Sequence, residues 1–224
     1  MNVLIYQHFS RGKRINDTKN GPIYEKCLAT VERYADNIGC EYQCTSKNYF
    51  PNWDPHWDLF RIFEDDRYLT YDKILFVDAD VFVVDTDDAR IFTNYDQFVA
   101  QKIMYNNRTK KRPEYFQYGP NFFNSGIVLF DRDTILAFKN KGTSQYRQRF
   151  KKVIPGRDQL ALNILVKDVL GMEGSSKRFD LEDACFLCDV DKLTNPLLVH
   201  LAGRQRTEYL KDQQRWDEYF NVST

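Results

Sequence analysis

Nothing in the sequence approaches the uninterrupted apolar run of about 18 residues that a membrane helix needs, and the opening "MNVLIYQHFSRGKR" lacks the charged-then-apolar order of a secretory leader. The chain is therefore expected to be soluble and cytoplasmic, with no transmembrane segment. Net charge is missing as well. The 32 basic side chains balance 32 acidic ones, which removes the electrostatic drive for nonspecific binding to nucleic acid or anionic lipid. Any phosphate must then be held by local groups. A disulfide framework is absent too: five cysteines (Cys27, Cys40, Cys44, Cys185 and Cys188) are an odd and sparse set that reads as reduced thiols. "CFLC" at Cys185 to Cys188 and "CEYQC" at Cys40 to Cys44 lack the Gly/Pro turns of a zinc knuckle, so they are read as packed or edge thiols. The sequons at Asn16, Asn107 and Asn221 matter only in a secreted protein and are discounted. No Gly-rich phosphate loop follows the first apolar segment, where "YQHFSRGKR" offers a single glycine. Internal repeats, low-complexity tracts and a clear interdomain linker are also missing, so the 224 residues are read as one domain with a substantial core.

What is present is an alternation of strand and helix patterns. "NVLIYQH" is a short apolar run ending in polar side chains, as an inner parallel strand reaching a crevice would be. In "GPIYEKCLATVERYADNIG", Ile23, Cys27, Leu28, Val31, Tyr34, Ala35 and Ile38 recur at three- and four-residue steps, and Gly39 stands where a helix stops. "CEYQCTS" reads as a second strand, "HWDLFRIFEDDRYL" as a second helix and "KILFV" as a third strand. That order is the mark of a mainly parallel α/β sheet flanked by helices. Further on, "VFVV", "QFVAQKIM", "SGIVLF" and "PLLVHLA" read as strands. "RDQLALNILVKDV" reads as a helix with Leu160, Leu162, Ile164 and Leu165 as core, and "TEYLKDQQRWDEYF" as a closing helix. The one long polar interval, "NNRTKKRPEYFQYGP", carries a basic cluster at Arg108, Lys110, Lys111 and Arg112. It reads as a solvated loop, with a flap over an anionic ligand as the alternative.

Parallel α/β sheets bind ligands outside the carboxyl ends of their strands, and "KILFVDADVFVV" puts Asp78 and Asp80 at such an end. Asp-any-Asp occurs four times in this chain, so the string alone carries little. Only Asp78-Ala79-Asp80 lies between two apolar strands. Residues two apart on extended backbone point to one side, so the two carboxylates can converge, and unpaired they would repel and raise at least one pKa. A hard divalent cation reverses that sign and is commonly completed by substrate phosphates. Turn residues capping a strand are the plainer reading of the same segment. Three further stretches weigh against it. "FNSGIVLF" sets Asn124, Ser125 and Gly126 just before an apolar strand, "GRDQLALN" sets Asp158 and Gln159 at a helix start, and "HLAGRQR" sets His200, Gly203 and Arg206 after a buried strand.

With these motifs in order, the sequence resembles the retaining GT-A glycosyltransferases of family 8, the group of glycogenin and bacterial galactosyltransferases. The resemblance runs from about Asp58 to Arg206 and rests on "YDKILFVDADVFV", "FNSGIVLF", "DQLALN" and "HLAGRQR". The chain is also similar to small glycosyltransferase domains encoded by chlorella viruses, in which case the cytoplasm would be a host cell's. The resemblance implies a single Rossmann-like GT-A domain, its nucleotide-binding half at about residues 1–100 and its acceptor- and metal-completing half at about 101–224. It implies that Asp78, Asp80 and His200 ligate manganese or magnesium at the diphosphate of a nucleotide sugar, a UDP-sugar, with Asp78 also facing the donor. Arg206 and Gly203 would meet the phosphates, although the family pattern has Lys where Arg206 stands, which keeps the charge and changes the donor geometry. Arg61 matches a basic family position near the donor. Asn124, Ser125, Asp158 and Gln159 would surround the transferred sugar and the incoming hydroxyl of a glycan or protein-glycan acceptor, and Tyr6, Gln7 and His8 lie where the family holds uracil. The implied reaction is sugar transfer with retention of configuration.

Three rivals stay open. A phosphatase of the haloacid dehalogenase type shares "ILFVDADV", but its motif usually opens the domain. A nucleotidyltransferase would want the missing Gly-rich loop. A noncatalytic carbohydrate-binding module would draw on aromatics such as Trp53, Trp57 and Trp216, which in a domain of this size are mostly core.

Overall fold

The computed structural model describes residues 1–9, 21–102, 121–151, 158–175 and 177–221. Its centre is a five-stranded sheet of β1 (Val3–His8), β2 (Glu41–Thr45), β3 (Lys73–Val77), β5 (Val99–Lys102) and β6 (Phe123–Asp131), in the order β2-β1-β3-β6-β5. β1 is parallel to both β2 and β3, and β6 is antiparallel to its neighbours β3 and β5. Four strands thus run one way and β6 runs back, so the expectation of a mainly parallel α/β sheet holds. Continuous apolar runs in β1, β3 and β6 follow from covering on both faces. Leu4, Tyr6, Ile74, Phe76, Val128 and Phe130 enter one core, whereas Val3, Ile5, Leu75, Val77, Ile127 and Leu129 enter the other.

The first core is aromatic. Phe63 meets Phe130 and Phe138 edge-to-face, both with ring centroids 5.1 Å apart, the geometry that aromatic quadrupoles favour. The second core lies under α1 (Gly21–Ile38), which buries Val31, Tyr34 and Ala35 there and Ile23 and Cys27 in a third cluster with Phe82, Cys185 and Val199, as its periodicity predicts. Leu28 and Ile38 are only half-buried, and Thr30 is buried in addition. Its hydroxyl donates to the Cys27 carbonyl and accepts the Val83 N–H, 2.8 and 3.1 Å, so a polar residue fastens the helix to the apolar run after Asp80.

"VFVV" does form a strand, β4 (Val81–Val83), but in a second sheet of order β4-β8-β7 with β8 (Leu198–His200) and β7 (Ala184–Phe186). The expected helix across residues 56–69 is broken. The chain makes a 3-10 turn at Pro55–Phe60, one α-turn as α2 (Arg61–Glu64), then a second 3-10 turn at Asp66–Thr70. Asp65 leaves helical space there, and its carboxylate accepts the Arg67 N–H, which caps a new start. The closing helix divides at Asp212 into α7 (Gln205–Lys211) and α8 (Gln213–Tyr219). The "SGIVLF" strand starts earlier than expected, at Phe123, so Asn124 belongs to it along with Ser125. Elements that periodicity did not announce are α3 (Arg90–Thr93), α4 (Arg132–Lys141), α5 (Thr143–Lys151) and β7. The expected helix after "GRDQ" is α6 (Asp158–Ser175), with all four expected core residues buried. The basic cluster at Arg108 to Arg112, the sequons at Asn16 and Asn107, and the end of "QFVAQKIM" lie outside the described residues. Among the described residues no helix is long and apolar enough to cross a membrane.

Arg90 ties α3 to the segments that precede β7 and β8. Its guanidinium donates to Asp183 Oδ1 at 2.6 Å, to Asp88 Oδ2 at 3.0 Å, and to the Glu182 and Asn195 carbonyls, while Tyr95 also donates to Asp183. Arg90→Ala is expected to cost about 3–5 kcal/mol by stranding the buried Asp183 carboxylate, read by urea unfolding. The added change Asp183→Asn is expected to return part of that loss.

Candidate functional site

The carboxyl ends of β1, β2 and β3 meet at one rim, and chain order reverses between β1 and β3, which makes this a topological switch point of the kind where ligands bind. Gln7 spans it, donating from Nε2 to the Asp78 carbonyl at 3.1 Å and accepting the Tyr42 hydroxyl at 2.7 Å. The backbone of Asp78 is held on its other side by a 2.7 Å bond from its N–H to the Gly126 carbonyl, and the Asp80 carbonyl accepts the Leu201 N–H. Asp78-Ala79-Asp80 is therefore a short turn stretched between the two sheets, with β4 paired to β8 so that Val81 lies opposite His200.

That pairing brings His200 to the aspartates. Its Nε2 lies 3.3 Å from Asp80 Oδ1 and 3.7 Å from Asp78 Oδ2. Ligating atoms of Asp78, Asp80 and His200 all fall within 4.8 Å of one another, the one such acidic, His or Cys cluster among the described residues. The Asp80 and His200 side chains are buried, at 8% and 2% exposure, whereas Asp78 at 39% faces the crevice. Arg206 Nη1 donates to Asp80 Oδ2 at 2.5 Å. It gets there because the chain turns at Gly203, whose φ of +61° is left-handed and favours glycine.

The electrostatics follow the neighbours. Burial works against the Asp80 charge, but His200 and Arg206 outweigh it and hold its pKa down at about 2. Burial and the Asp80 charge push Asp78 up, against the pull of His200. The two carboxylates raise His200 although burial opposes them. Asp158, the first residue of α6, is pushed up to about 7 by burial and by the nearby Asp78 charge, partly offset by His56.

β6 supplies the opposite wall. Ser125 Oγ donates to Asp158 Oδ2 at 3.2 Å, and the Ser125 N–H points to Gln159 Oε1 at 3.4 Å. Asn124 Oδ1 accepts the Gly126 N–H at 2.7 Å, an Asx-type bond that shapes the strand. Gly126 has no room for a side chain: a Cβ there would collide with the His200 ring and lie 2.7 Å from Asp78 Oδ2. Asn163, not singled out in the sequence, fixes α6 to this wall by bonding both the N–H and the carbonyl of Phe123.

Other expected residues sit elsewhere. Tyr6 is fully buried and donates to Asp58 Oδ2 at 2.5 Å. His8 Nδ1 lies 3.0 Å from the same oxygen, and its Nε2 lies 3.1 Å from Asn48 Oδ1. Both side chains are thus engaged inside the protein, as is that of Gln7. Arg61 stacks its guanidinium on Tyr49 at 4.9 Å and Tyr68 at 5.8 Å and approaches Asp65. These contacts place it with the Tyr6–Asp58 group, and none joins it to the aspartate turn. His56, half-exposed on the first 3-10 turn, acts electrostatically on both Asp78 and Asp158. Asp54-Pro55 before it, a cap followed by proline, is the sequence signal that would have marked it. Among the other Asp-any-Asp strings, Asp85 caps its own turn, Asp131 caps α4 and Asp189 pairs with Lys192. The cysteines are free thiols, Cys27 and Cys185 buried, Cys44 and Cys188 exposed and Cys40 between.

Two outcomes are expected from this geometry. Gly126→Ala should keep the fold by circular dichroism yet displace the His200 ring from the aspartates, read as a shift of the His200 imidazole signals by NMR. Asp158, with an ordinary carboxylate pKa of 3.8 raised to about 7, makes the folded state lose stability as pH rises from about 4 to about 7, and no further above that. In chelator, Asp158→Asn should therefore melt a few degrees above the wild type at pH 8 and level with it at pH 4.

No family model matches the chain, and no curated protein matches it either. Solved structures do. A glycosyltransferase involved in glycosylation of the major capsid of PBCV-1 superposes with a TM-score of 0.65 at 13% identity, over 96% of this chain and 100% of that one. The galactosyltransferase LgtC, solved with donor and acceptor sugar analogs, gives 0.55 at 13% identity over 100% and 96%. The glycosyltransferase GlyE of Streptococcus pneumoniae TIGR4 gives 0.52 at 14% identity over 99% of this chain and 62% of that one. At such identities the likeness is one of architecture, and the chain has the GT-A glycosyltransferase fold.

Proposed function

We propose that the protein is a metal-dependent glycosyltransferase that moves a sugar from a nucleotide-diphosphate donor, a UDP-sugar, to a hydroxyl of a glycan or protein-glycan acceptor, with retention of configuration. The observation that carries this reading is the Asp78, Asp80 and His200 cluster, with its ligating atoms within 4.8 Å of one another at the switch point of a GT-A fold. Two carboxylates and one imidazole suit manganese or magnesium. When bound, such a cation supplies charge neutralisation for a departing diphosphate.

The remaining work falls to the side chains. Arg206, in contact with Asp80, would clamp phosphate oxygens by charge-assisted hydrogen bonds. Gly203 shapes the turn that presents it. Ser125, Asn124 and Gln159 would orient sugar hydroxyls, a role supported by their gathering with Asp158 around the start of β6. Asp158 shares that gathering, which supports a positioning or nucleophilic role on the sugar. We favour front-face attack, in which the leaving phosphate accepts the acceptor proton. The engagement of Tyr6, Gln7 and His8 with Asp58, Asp78 and Asn48 supports a role for β1 in bracing the nucleotide edge rather than in direct ring contact.

Titration calorimetry of UDP with Mn2+ tests the reading. Binding is expected with the cation and lost in chelator, and Asp78→Asn or Asp80→Asn should abolish it and cut UDP-sugar turnover by about 100-fold or more. Arg206→Ala should weaken UDP by about 10- to 100-fold. Mn2+ affinity should fall as pH drops, because a proton on the raised His200 competes for the same nitrogen. Hydrolysis of simple phosphate esters without action on nucleotide sugars would overturn the proposal, as would a product anomer inverted relative to the donor for its retaining part.

A further inference from the structure

We propose that Gln101 is the positioning residue of the site, setting the tautomer of His200 and so directing the Nε2 lone pair toward Asp78 and Asp80. The inference rests on the reading of that cluster as a cation site, but its physical basis is independent of it. His200 Nδ1 lies 2.7 Å from Gln101 Oε1, and Gln101 Nε2 lies 2.9 Å from the Cys185 carbonyl. A backbone carbonyl can only accept, so the end of the carboxamide that faces Cys185 must be its NH2. The end facing His200 is then the oxygen, which also only accepts. Nδ1 must therefore carry the hydrogen, and in the neutral ring Nε2 is left bare.

The surroundings hold this relay in one orientation. Gln101 is fully buried and His200 nearly so, and no water competes for a fully buried amide. The Phe186 ring stacks on the imidazole, centroids 5.6 Å apart and planes 21° apart, which fixes the ring plane. Phe186 also pairs with His200 in the small sheet, next to Cys185, so the acceptor and the stacking ring come from adjacent residues of β7. Gln101 itself stands at a break in register, where the partner of β5 on β6 jumps from Val128 at Ala100 to Asn124 at Gln101. Such irregularities re-aim side chains beside functional sites. Partners of this kind are known to orient metal-binding histidines and to raise their affinity.

The test uses long-range proton–nitrogen spectra of 15N-labelled, metal-free protein at a pH where the ring is neutral. The chain has three histidines, so loss of one pattern in His200→Gln assigns the signal. The wild type is expected to show Nδ1–H and bare Nε2, the reverse of the tautomer that free histidine favours. Gln101→Leu should shift His200 toward Nε2–H and weaken Mn2+ alone by about 10- to 100-fold. Gln101→Glu, which keeps an acceptor against Nδ1, should retain the tautomer. An Nε2–H wild type, an unchanged tautomer in Gln101→Leu, or an altered tautomer with unchanged Mn2+ affinity would each overturn the proposal. If the leucine variant fails to fold, the wild-type and glutamate spectra still decide. A wild type with the expected tautomer that binds no Mn2+ would sink the cation reading and leave the hydrogen-bond assignment standing.

Discussion

The structure turns on a buried negative charge. Asp80 lies at the seam of the two sheets with its carboxylate almost out of water, and such a charge survives only when its neighbours compensate it. Two do, and they come from the late part of the chain: His200 from β8 and Arg206 from the first turn of α7. The antiparallel pairing of β4 with β8 carries the first into place, and the left-handed turn at Gly203 carries the second. The small sheet and the closing helices, which a reading of core packing alone would treat as trimming, therefore exist in register with one aspartate.

Much of this was legible beforehand because the informative segments were apolar and the informative polar residues stood at their ends. The runs in β1, β3, β6 and β8 could only be strands covered on both faces, and Asp78, Asp80 and His200 mark where that covering stops. Of the four Asp-any-Asp strings, the one flanked by strands is the one that gathers with His200, while Asp85 and Asp131 serve as caps and Asp189 pairs with Lys192. Less visible was whatever depended on pairing between distant segments. The assignment of β4 to a separate sheet and the reversal of β6 leave no trace in local periodicity. α5 is too polar to show an apolar stripe, and the helix expected at residues 56–69 broke because Asp65 could satisfy Arg67 locally.

The site shows the same division. The fold gathers Asp78, Asp80 and His200, each notable for its own chemistry, whereas residues that act through another residue carry no mark in the sequence. Gln101 and Asn163 are ordinary amides in the sequence, and only the fold gives them carbonyl and amide partners far along the chain. In the opposite direction, Tyr6 and His8 looked like ligand-facing residues because they end a strand at the rim. Asp58, arriving from the broken helix, accepts the Tyr6 hydroxyl and faces the His8 ring, so both side chains are also tied into the protein. Polarity at a strand end identifies the edge of a crevice, not which side of the edge a group serves.

Gly126 carries an evolutionary consequence. With an imidazole and a carboxylate closed over its α-carbon, the position accepts only hydrogen, and any side chain there would push His200 and Asp78 apart. It is an entrenched site. Change in what the crevice accepts must then come from groups outside that contact, such as the half-exposed His56, while the α-carbon of Gly126 stays closed to any side chain.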